Sequence, residues 1–421
     1  MNRKQFITGL SVGAMAMPSM LEAQVNSKKL TQLPSVENWE QIQKQFLVLK
    51  SRVYMNNGTM GITPKTVLQA LGEAFEHVAR DGYYSSDFNT LKSRLAPLLH
   101  VDKKALAITK NVTDGLNIAC WGVDMNAGDE VLMTKHEHVG GCAAWLHRAK
   151  VDGIKIKTFD LAMTAEQTLT NFKKALSPKT KIIAVPHIPC TIGQILPIKE
   201  LCQEARKREI TTLIDGAHPL GMIPINISEL GCDYYAGCLH KWLLGPLGLG
   251  FLYIHPDRLN KTVIRNLGAY SIAEFDMTVD QPINNVLNDD TQRFSPGTFC
   301  GPLYVAGVRA IDWYQSIGIE RIEKRIKELS LYTHESLEKL NLQLETLSPR
   351  EDISRGAQTT FRFKGKKASD FVNYARSHKD PIILRHVHEA RLDAVRISTH
   401  YYNDFNHIDK LMEMVRAFEK S

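Results

Sequence analysis

The 421-residue chain lacks several features that would define its class at once. Its seven cysteines include no CxxC pair, and an odd number of cysteines cannot all pair within one chain. This pattern argues against a disulfide framework and favours buried, reduced thiols. The formal net charge is +7, but no run of basic residues and no alternation of basic and aromatic residues indicates a nucleic-acid groove. Internal repeats and low-complexity segments are absent as well.

A membrane-spanning segment is also missing at the N-terminus, where the weakly apolar residues 8–17 are too short for one. They follow a basic start and precede small residues, as in a signal peptide. The start, Arg3-Lys4 with Phe6, resembles a twin-arginine export signal with lysine as the second basic residue. We therefore expect residues 1–24 to be an export signal, cleaved near residues 20–24, and the protein to be periplasmic. The alternative is a flexible amphipathic tail on a cytoplasmic protein.

The length predicts two domains rather than one core. Strand-like and helix-like segments alternate from Ala105 to Ile214, which predicts an α/β fold with a mainly parallel sheet and helices on both faces. A long helical stretch from Leu303 to about Leu340 precedes a smaller α+β region. The predicted division is residues 25–50 as an N-terminal segment, 51–298 as a large domain and 299–421 as a small C-terminal domain.

Two chemically suggestive residues follow apolar strands of the large domain. Asp215 ends one strand, and Lys241 comes just beyond the next, before a glycine-punctuated turn. Ligands of mainly parallel sheets collect at such strand ends. A lysine that binds the cofactor and an acid that keeps the pyridine nitrogen protonated are the minimum that pyridoxal phosphate requires. The alternative is that Asp215 caps a turn and Lys241 is a surface cation.

A second ligand-binding feature is the segment Asn111–Asn117, which opens a helix directly after a strand. Backbone N–H groups at a helix N-terminus bind phosphate, although this segment is also an ordinary helix cap.

His136 and His138 share a face in an extended chain, which is compatible with a metal. No further ligand is placed nearby, so we expect no metal site.

With these segments in order, the chain from about Tyr54 to its C-terminus resembles class V aminotransferases, a group of fold-type I pyridoxal-phosphate enzymes. It is most similar to their isopenicillin N epimerase-like and cysteine desulfurase-like branch. The motifs that carry the resemblance are residues 111–117, 187–197, 215–218, 234–241, 293–298 and 395–403.

The resemblance implies a role for each matching residue. It implies that Lys241 holds the cofactor, that His138 stacks on its ring, and that Asp215 pairs with the pyridine nitrogen. It further implies that His218 lies near the phenolic oxygen. The implied phosphate contacts are Val112, Thr113, Cys238, His240 and, from the neighbouring subunit, Thr298.

Three positions depart from the family pattern, one of them Leu239, where the family usually has a small residue. Cys190 stands where the family usually has Asn or Ser, and Cys238 where it usually has Ser or Thr. Because a thiol is a weak hydrogen-bond donor, these cofactor contacts are expected to be weaker. The Thr298 match implies a homodimer with shared active sites.

The C-terminal motif implies the substrate site. Arg396 matches the family's clamp for an α-carboxylate, since a planar guanidinium pairs bidentately with such a group. A structural ion pair is the alternative. Arg385 is a second candidate substrate contact, and His386 and His388 are candidates for a second base.

The predicted reaction class depends on a cysteine that one loop of the small domain lacks. A cysteine desulfurase needs a reactive cysteine on the loop matching residues 384–393, and this loop has none. What remains is epimerisation, β-elimination or amino transfer at the α-carbon of an amino acid, with Lys241 as the base. We expect an epimerase or lyase. The alternatives are a class V aminotransferase and an exported binding protein that keeps the fold but has lost efficient catalysis.

Overall fold

The computed structural model describes residues 33–34, 36–48, 51–82, 89–277 and 285–421. The expected export signal, residues 1–24, lies outside these ranges, so it stays a prediction. Within them, no helix combines the length and the apolar character needed to cross a membrane.

The helices and strands alternate along most of the chain. The strands are β1 (Val53–Tyr54), β2 (Leu106–Thr109), β3 (Glu130–Thr134), β4 (Lys155–Phe159), β5 (Thr180–Pro186), β6 (Thr211–Gly216), β7 (Tyr234–Cys238), β8 (Gly250–Ile254), β9 (Ile272–Phe275), β10 (Asn285–Leu287), β11 (Leu344–Thr346), β12 (Gln358–Phe363), β13 (Ile382–Ile383), β14 (Arg385–Val387) and β15 (Ala394–Ser398). The helices are α1 (Trp39–Gln43), α2 (Lys65–Asp81), α3 (Asn89–Leu99), α4 (Val112–Gly122), α5 (Val139–Val151), α6 (Ala165–Ala175), α7 (Ile198–Arg206), α8 (Ile227–Leu230), α9 (Pro256–Leu259), α10 (Gly301–Ile317), α11 (Ile319–Lys339), α12 (Ala368–Ser377) and α13 (Phe405–Lys420).

A seven-stranded sheet forms the centre of the molecule, with the strand order β2-β8-β7-β6-β5-β3-β4. Strands β3 to β7 pair in parallel, whereas β8 runs antiparallel to both of its neighbours. Successive residues of β5 belong to opposite cores: Ile182 and Ala184 pack with α4, and Ile183 and Val185 pack with α7. Helices therefore cover both faces, which confirms the predicted α/β architecture and explains why the central strands are continuously apolar.

A second sheet is antiparallel, with the order β11-β12-β15-β14. Its apolar side packs with α11, α12 and α13 around a separate core. Strand β1, from early in the chain, pairs in parallel with β13, and Asn56 bridges to Ser398 at the end of β15. Residues 53–56 therefore lie against the C-terminal part of the chain.

The predicted long helix from Leu303 to Leu340 is wrong in one respect, because the chain breaks it at Gly318. This residue has φ +93° and ψ 127°, outside the helical region, and it separates α10 from α11. Helix α10 packs Ala306 and Ala310 against Val67 of α2. Apolar residues recur on both sides of the break, so periodicity alone did not reveal it.

We predict that Gly318→Ala lowers the free energy of unfolding by about 1–3 kcal/mol, because an L-residue is strained at this φ. A Cβ at Gly318 would meet no atom within 4 Å, so no steric clash contributes. Urea denaturation of the variant measures the change.

Gly72→Ala in the interior of α2 is the matched control, since a Cβ there also meets nothing within 4 Å. Alanine is the better helix former, so this variant should gain about 0.5–1 kcal/mol. Equal effects of the two substitutions would contradict the interpretation of Gly318.

Candidate active site

A cavity of about 270 Å³ lies at the carboxyl ends of β5, β6 and β7, beside the N-terminus of α4. The structure brings most of the sequence-predicted residues together there. Those lining it are Val112, Thr113, His138, Cys190, Asp215, His218, Cys238, His240, Lys241 and Arg385.

Asp215 and Lys241 occupy the floor of this cavity. Asp215 Oδ1 accepts a hydrogen bond from the Ala217 N–H at 2.9 Å, and no hydrogen bond between described residues uses Oδ2. Burial raises the pKa of Asp215, and the nearby charge of Lys241 opposes this shift. Asp215 therefore has one oxygen held by the backbone and one available to a ligand.

The N-terminus of α4 forms one wall. Asn111 caps the helix by accepting from the Asp114 N–H at 2.9 Å, which leaves the first amide groups of Val112 and Thr113 near the cavity. Such amides attract phosphate.

His240 supplies a second indication of an anionic ligand beside this wall. Burial lowers the pKa of His240 to about 4, and its buried Nδ1 has no hydrogen-bond partner within the described part of the chain. Buried polar atoms rarely stay unsatisfied, so this nitrogen fits a contact that a bound group would complete. The residues present therefore fit pyridoxal phosphate.

Cys238 lines the cavity as a neutral thiol. Its S–H donates to the Ala217 carbonyl at 3.5 Å, and burial raises its pKa to about 11. The thiol hydrogen is thus already used, which agrees with the weak phosphate contact expected from this departure. Its contact with the phosphate stays a prediction.

His138 lies at the first turn of α5 and caps that helix. Its Nδ1 accepts from the Gly140 N–H at 3.0 Å, so the ring proton is on Nε2. Burial lowers the pKa of His138, which keeps the ring neutral. A neutral ring that is fixed at one edge and borders the cavity suits stacking on an aromatic cofactor.

Arg396 is fully buried in β15 and does not itself line the cavity, but it contacts Cys190 and Thr59, which do. Its Nη1 donates to the Cys190 carbonyl at 2.7 Å, and its Nη2 donates to Thr59 Oγ1 at 2.9 Å and Asn56 Oδ1 at 3.3 Å. None of these acceptors is a carboxylate, and Nε has no partner among the described residues. Burial and the neighbouring Arg385 lower the pKa of Arg396 to about 9, so it is still charged at neutral pH. A buried cation without a counterion is costly, which makes this a site for an anion.

Arg385 lies directly opposite Arg396 on the neighbouring strand and also lines the cavity. It forms an ion pair with Glu389, four residues further on. Like charges placed opposite each other repel. Glu389 therefore pairs directly with Arg385 and acts on Arg396 only at a distance, so the Arg396 guanidinium has no carboxylate partner of its own.

Three predicted residues lie elsewhere. Thr298 is exposed and lines a different cavity of about 740 Å³, so its predicted phosphate contact requires a second copy of the chain and stays a prediction. His386 hydrogen-bonds Asp393 at 2.8 Å, and His388 is 75% exposed. Neither histidine lines the cavity, so the structure gives no support to either as a second base.

Sequence reasoning missed several contributors. Gly58 and Thr59 line the cavity, from the Asn- and Gly-rich loop that follows β1. Gln358 reaches His218 from the small sheet, and no motif marks it. Glu137, between two histidines, has its pKa raised to about 8 by burial although Thr134 donates to it twice.

The two-histidine metal hypothesis gains no ligands from the structure. Nδ1 of His136 forms a hydrogen bond with Thr191 Oγ1 at 2.9 Å, and His138 caps its helix. In the ranges that the structure describes, no group of three or more His, Cys, Asp or Glu side chains is arranged to hold a metal ion.

A strand-end aspartate and lysine, a helix N-terminus and a buried arginine in this α/β fold together define a fold-type I pyridoxal-phosphate enzyme. The chain belongs to the aminotransferase class-V family, whose sequence pattern matches residues 53–411.

Two of the similar proteins have different names and activities. Isopenicillin N epimerase of Amycolatopsis lactamdurans is 28% identical over 354 residues, covering 79% of this chain and 85% of that protein. A probable cysteine desulfurase of Xylella fastidiosa (strain Temecula1) is 26% identical over 360 residues, covering 80% and 84%.

A solved structure of a C-DES mutant, with glycine covalently linked to the PLP cofactor, is also similar. It is 28% identical, covers 89% of this chain and 98% of its own, and has a TM-score of 0.80. C-DES is described as a cystine C–S lyase. The family and this cofactor-bound structure establish pyridoxal phosphate as the cofactor.

We predict that Gly140→Ala weakens pyridoxal phosphate binding by roughly tenfold or more, since overpacking costs about 1–3 kcal/mol. A Cβ there would lie 2.5 Å from Thr113 Oγ1 and 3.1 Å from His138 Nδ1, so both side chains must move. Absorbance titration of apoprotein with the cofactor gives the affinity.

Gly72→Ala is again the matched control, because it adds the same methyl group to a helix outside the lining of the cavity. Its cofactor affinity should equal that of the unmodified protein. An unchanged affinity in Gly140→Ala would show that Thr113 and His138 do not contact the cofactor.

Proposed function

We propose that this protein acts at the α-carbon of an amino acid, by epimerisation or by elimination. The observation that carries the proposal is Arg396, a buried guanidinium whose hydrogen bonds go only to neutral oxygens. An α-carboxylate is the ligand that best complements it, because the planar fork and a carboxylate pair bidentately.

The side chains around the cavity supply the remaining roles. When bound, pyridoxal phosphate withdraws electrons from the substrate's α-carbon. Asp215 Oδ2, which has no partner within the described residues, is the acceptor available to the pyridine N–H. With the carboxylate held by Arg396, the α-hydrogen is oriented towards Lys241, whose Nζ is the base that accepts it.

The relatives support both reactions, whereas the sequence of one loop disfavours a third. Isopenicillin N epimerase and the C–S lyase C-DES are each about equally similar to this chain. Cysteine desulfurases are similar as well, but the loop from Leu384 to Asp393 contains no cysteine. We therefore propose that persulfide transfer on this loop is not the activity. A class V aminotransferase and a weakly catalytic binding protein stay as alternatives.

Two further proposals concern assembly and location. We propose a homodimer with shared active sites, supported by the exposed Thr298 in the motif that matches a subunit-bridging segment. We propose export to the periplasm, supported by the Arg3-Lys4 signal-like start. Analytical ultracentrifugation and fractionation of cells test these separately.

One experiment distinguishes the reactions. The cofactor-loaded protein is incubated in D₂O with a panel of L-amino acids, and products are followed by NMR and chiral chromatography. Epimerisation gives deuterated D-isomer, elimination gives a keto acid and ammonia, and amino transfer gives more than one equivalent of keto acid per active site only when an acceptor is present. Lys241→Ala is the control. Absence of α-deuterium exchange for every amino acid would contradict the proposal and favour a binding protein.

We predict that Arg396→Lys weakens amino-acid binding roughly ten- to a hundredfold, since a charge-assisted hydrogen bond contributes about 1.5–3 kcal/mol. Lysine keeps the charge but lacks the planar fork. Titration of the cofactor absorbance with amino acid measures the half-saturation point.

Arg362→Lys is the matched control, because Arg362 lies in β12 of the same sheet and pairs with Glu345 outside the cavity. Its half-saturation point should not change. An unchanged half-saturation point for Arg396→Lys as well would indicate that another cation binds the carboxylate, with Arg385 as the first candidate.

A further inference from the structure

His218 is held by two donors at the same ring nitrogen. Trp242 Nε1 lies 3.0 Å from His218 Nδ1, and Gln358 Nε2 lies 2.8 Å from it. The other ring nitrogen, Nε2, lies 3.4 Å from Lys241 Nζ. The imidazole is 2% exposed. The imidazole therefore connects Lys241 to Trp242, which lies in the same turn, and to Gln358, which lies in the small sheet.

The indole decides where the proton of His218 is located. An indole N–H donates and cannot accept, so Nδ1 of His218 must present its lone pair to Trp242. This excludes both the Nδ1–H tautomer and the doubly protonated imidazolium. In the neutral ring the proton is then on Nε2, facing Lys241. Burial lowers the pKa of His218 well below its ordinary value, in agreement with a neutral ring.

The amide group of Gln358 has Nε2 towards His218 Nδ1. Its Oε1 is buried and has no hydrogen-bond partner among the described residues, an arrangement that costs free energy. Turning the amide over would instead place Oε1 against the lone pair of Nδ1. Gly193, with φ +67°, makes room for Gln358, since a Cβ there would lie 2.6 Å from the glutamine Cβ.

The indole of Trp242 is fixed from the opposite side. His400 Nε2 lies 2.8 Å from the Trp242 carbonyl, and the two rings stack at 5.2 Å. His400 Nδ1 accepts from the Tyr401 N–H at 2.7 Å, so its own proton is on Nε2 and is donated to Trp242. The donor that sets the tautomer of His218 is thus itself immobilised.

We propose that Trp242 and Gln358 are positioning residues that fix His218 as its Nε2–H tautomer and so present a hydrogen-bond donor at Lys241. A donor at this place complements a lone pair and not an ammonium group, because an ammonium has no acceptor. Lys241 can thus accept this hydrogen bond only as the free amine, the form that bonds to the cofactor. The inference concerns the cofactor site and holds for any of the reactions considered above.

The direct test is the ring-nitrogen spectrum of His218 in protein labelled with ¹⁵N-histidine. His218→Gln identifies its signals by their disappearance. At pH 7.5 we expect Nδ1 to resonate as an unprotonated nitrogen and Nε2 as a protonated one, in apoprotein and in cofactor-loaded protein. A protonated Nδ1 in the unmodified protein would by itself overturn the proposal, before any variant of Trp242 or Gln358 is measured.

Variants then test the two donors. Either donor alone should preserve the tautomer, so Trp242→Phe and Gln358→Met should each keep an unprotonated Nδ1. The double variant Trp242→Phe with Gln358→Glu removes both donors and adds an acceptor, so Nδ1 should become protonated. Its cofactor absorption maximum should shift, whereas the maxima of the single variants should not.

Controls separate this role from a structural one. Gln194→Met removes another fully buried glutamine, one that bonds Ala162 and Thr168 instead, and should leave the His218 signals unchanged. If the glutamate variant does not fold, Trp242→Phe with Gln358→Met should give signals of both tautomers. A folded double variant that retains an unprotonated Nδ1 would show that neither residue sets the tautomer.

Discussion

The short segment from Met55 to Gly61 joins the two halves of the active site. On one side, the Ser398 N–H donates to the Met55 carbonyl at 2.8 Å, which ties the segment to β15. On the other, the Gly61 N–H donates to the His240 carbonyl at 2.8 Å, and Asn57 Nδ2 donates to the Lys241 carbonyl at 3.3 Å. The segment is therefore tied to the small sheet and to the lysine turn at once, by two backbone hydrogen bonds and one from the Asn57 side chain.

The central electrostatic feature is an excess of positive charge that the fold keeps away from water. Arg396 and Arg385 are cross-strand neighbours, and one glutamate neutralises only one of them. Their repulsion and the burial of Arg396 both oppose folding. A protein retains such an arrangement when a ligand compensates for it, and a carboxylate-bearing substrate does so. The same charges act on nearby groups, since they help to keep His218 neutral.

The weaker polar contacts of the site come largely from thiols and histidines. The buried thiols of Cys190 and Cys238 line the cavity, and that of Cys238 gives its hydrogen to a backbone carbonyl. Three histidines of the site and its surroundings have defined tautomers. His138 and His400 accept at Nδ1, from Gly140 and Tyr401 respectively, and His218 does so from Trp242. Each ring is neutral with its proton on Nε2. His138 and His218 line the cavity and supply it with directed donors without additional charge, whereas His400 donates to the Trp242 carbonyl.

The sequence by itself determined the α/β architecture, because buried parallel strands must be apolar on both faces and the alternation with amphipathic helices is visible along the chain. It also identified Asp215, Lys241 and the start of α4, since parallel strands bring the residues at their carboxyl ends to one edge of a sheet. It did not reveal the break at Gly318, where the apolar pattern continues through a backbone conformation that only the fold requires. Only the tertiary structure showed that Arg396 lacks a carboxylate partner, that His386 and His388 lie outside the cavity, and that Gln358 reaches His218. The contact of Gln358 with His218 joins residues 140 positions apart, and that of Arg396 with Asn56 joins residues 340 positions apart. Local propensity carries no information about contacts at such separations.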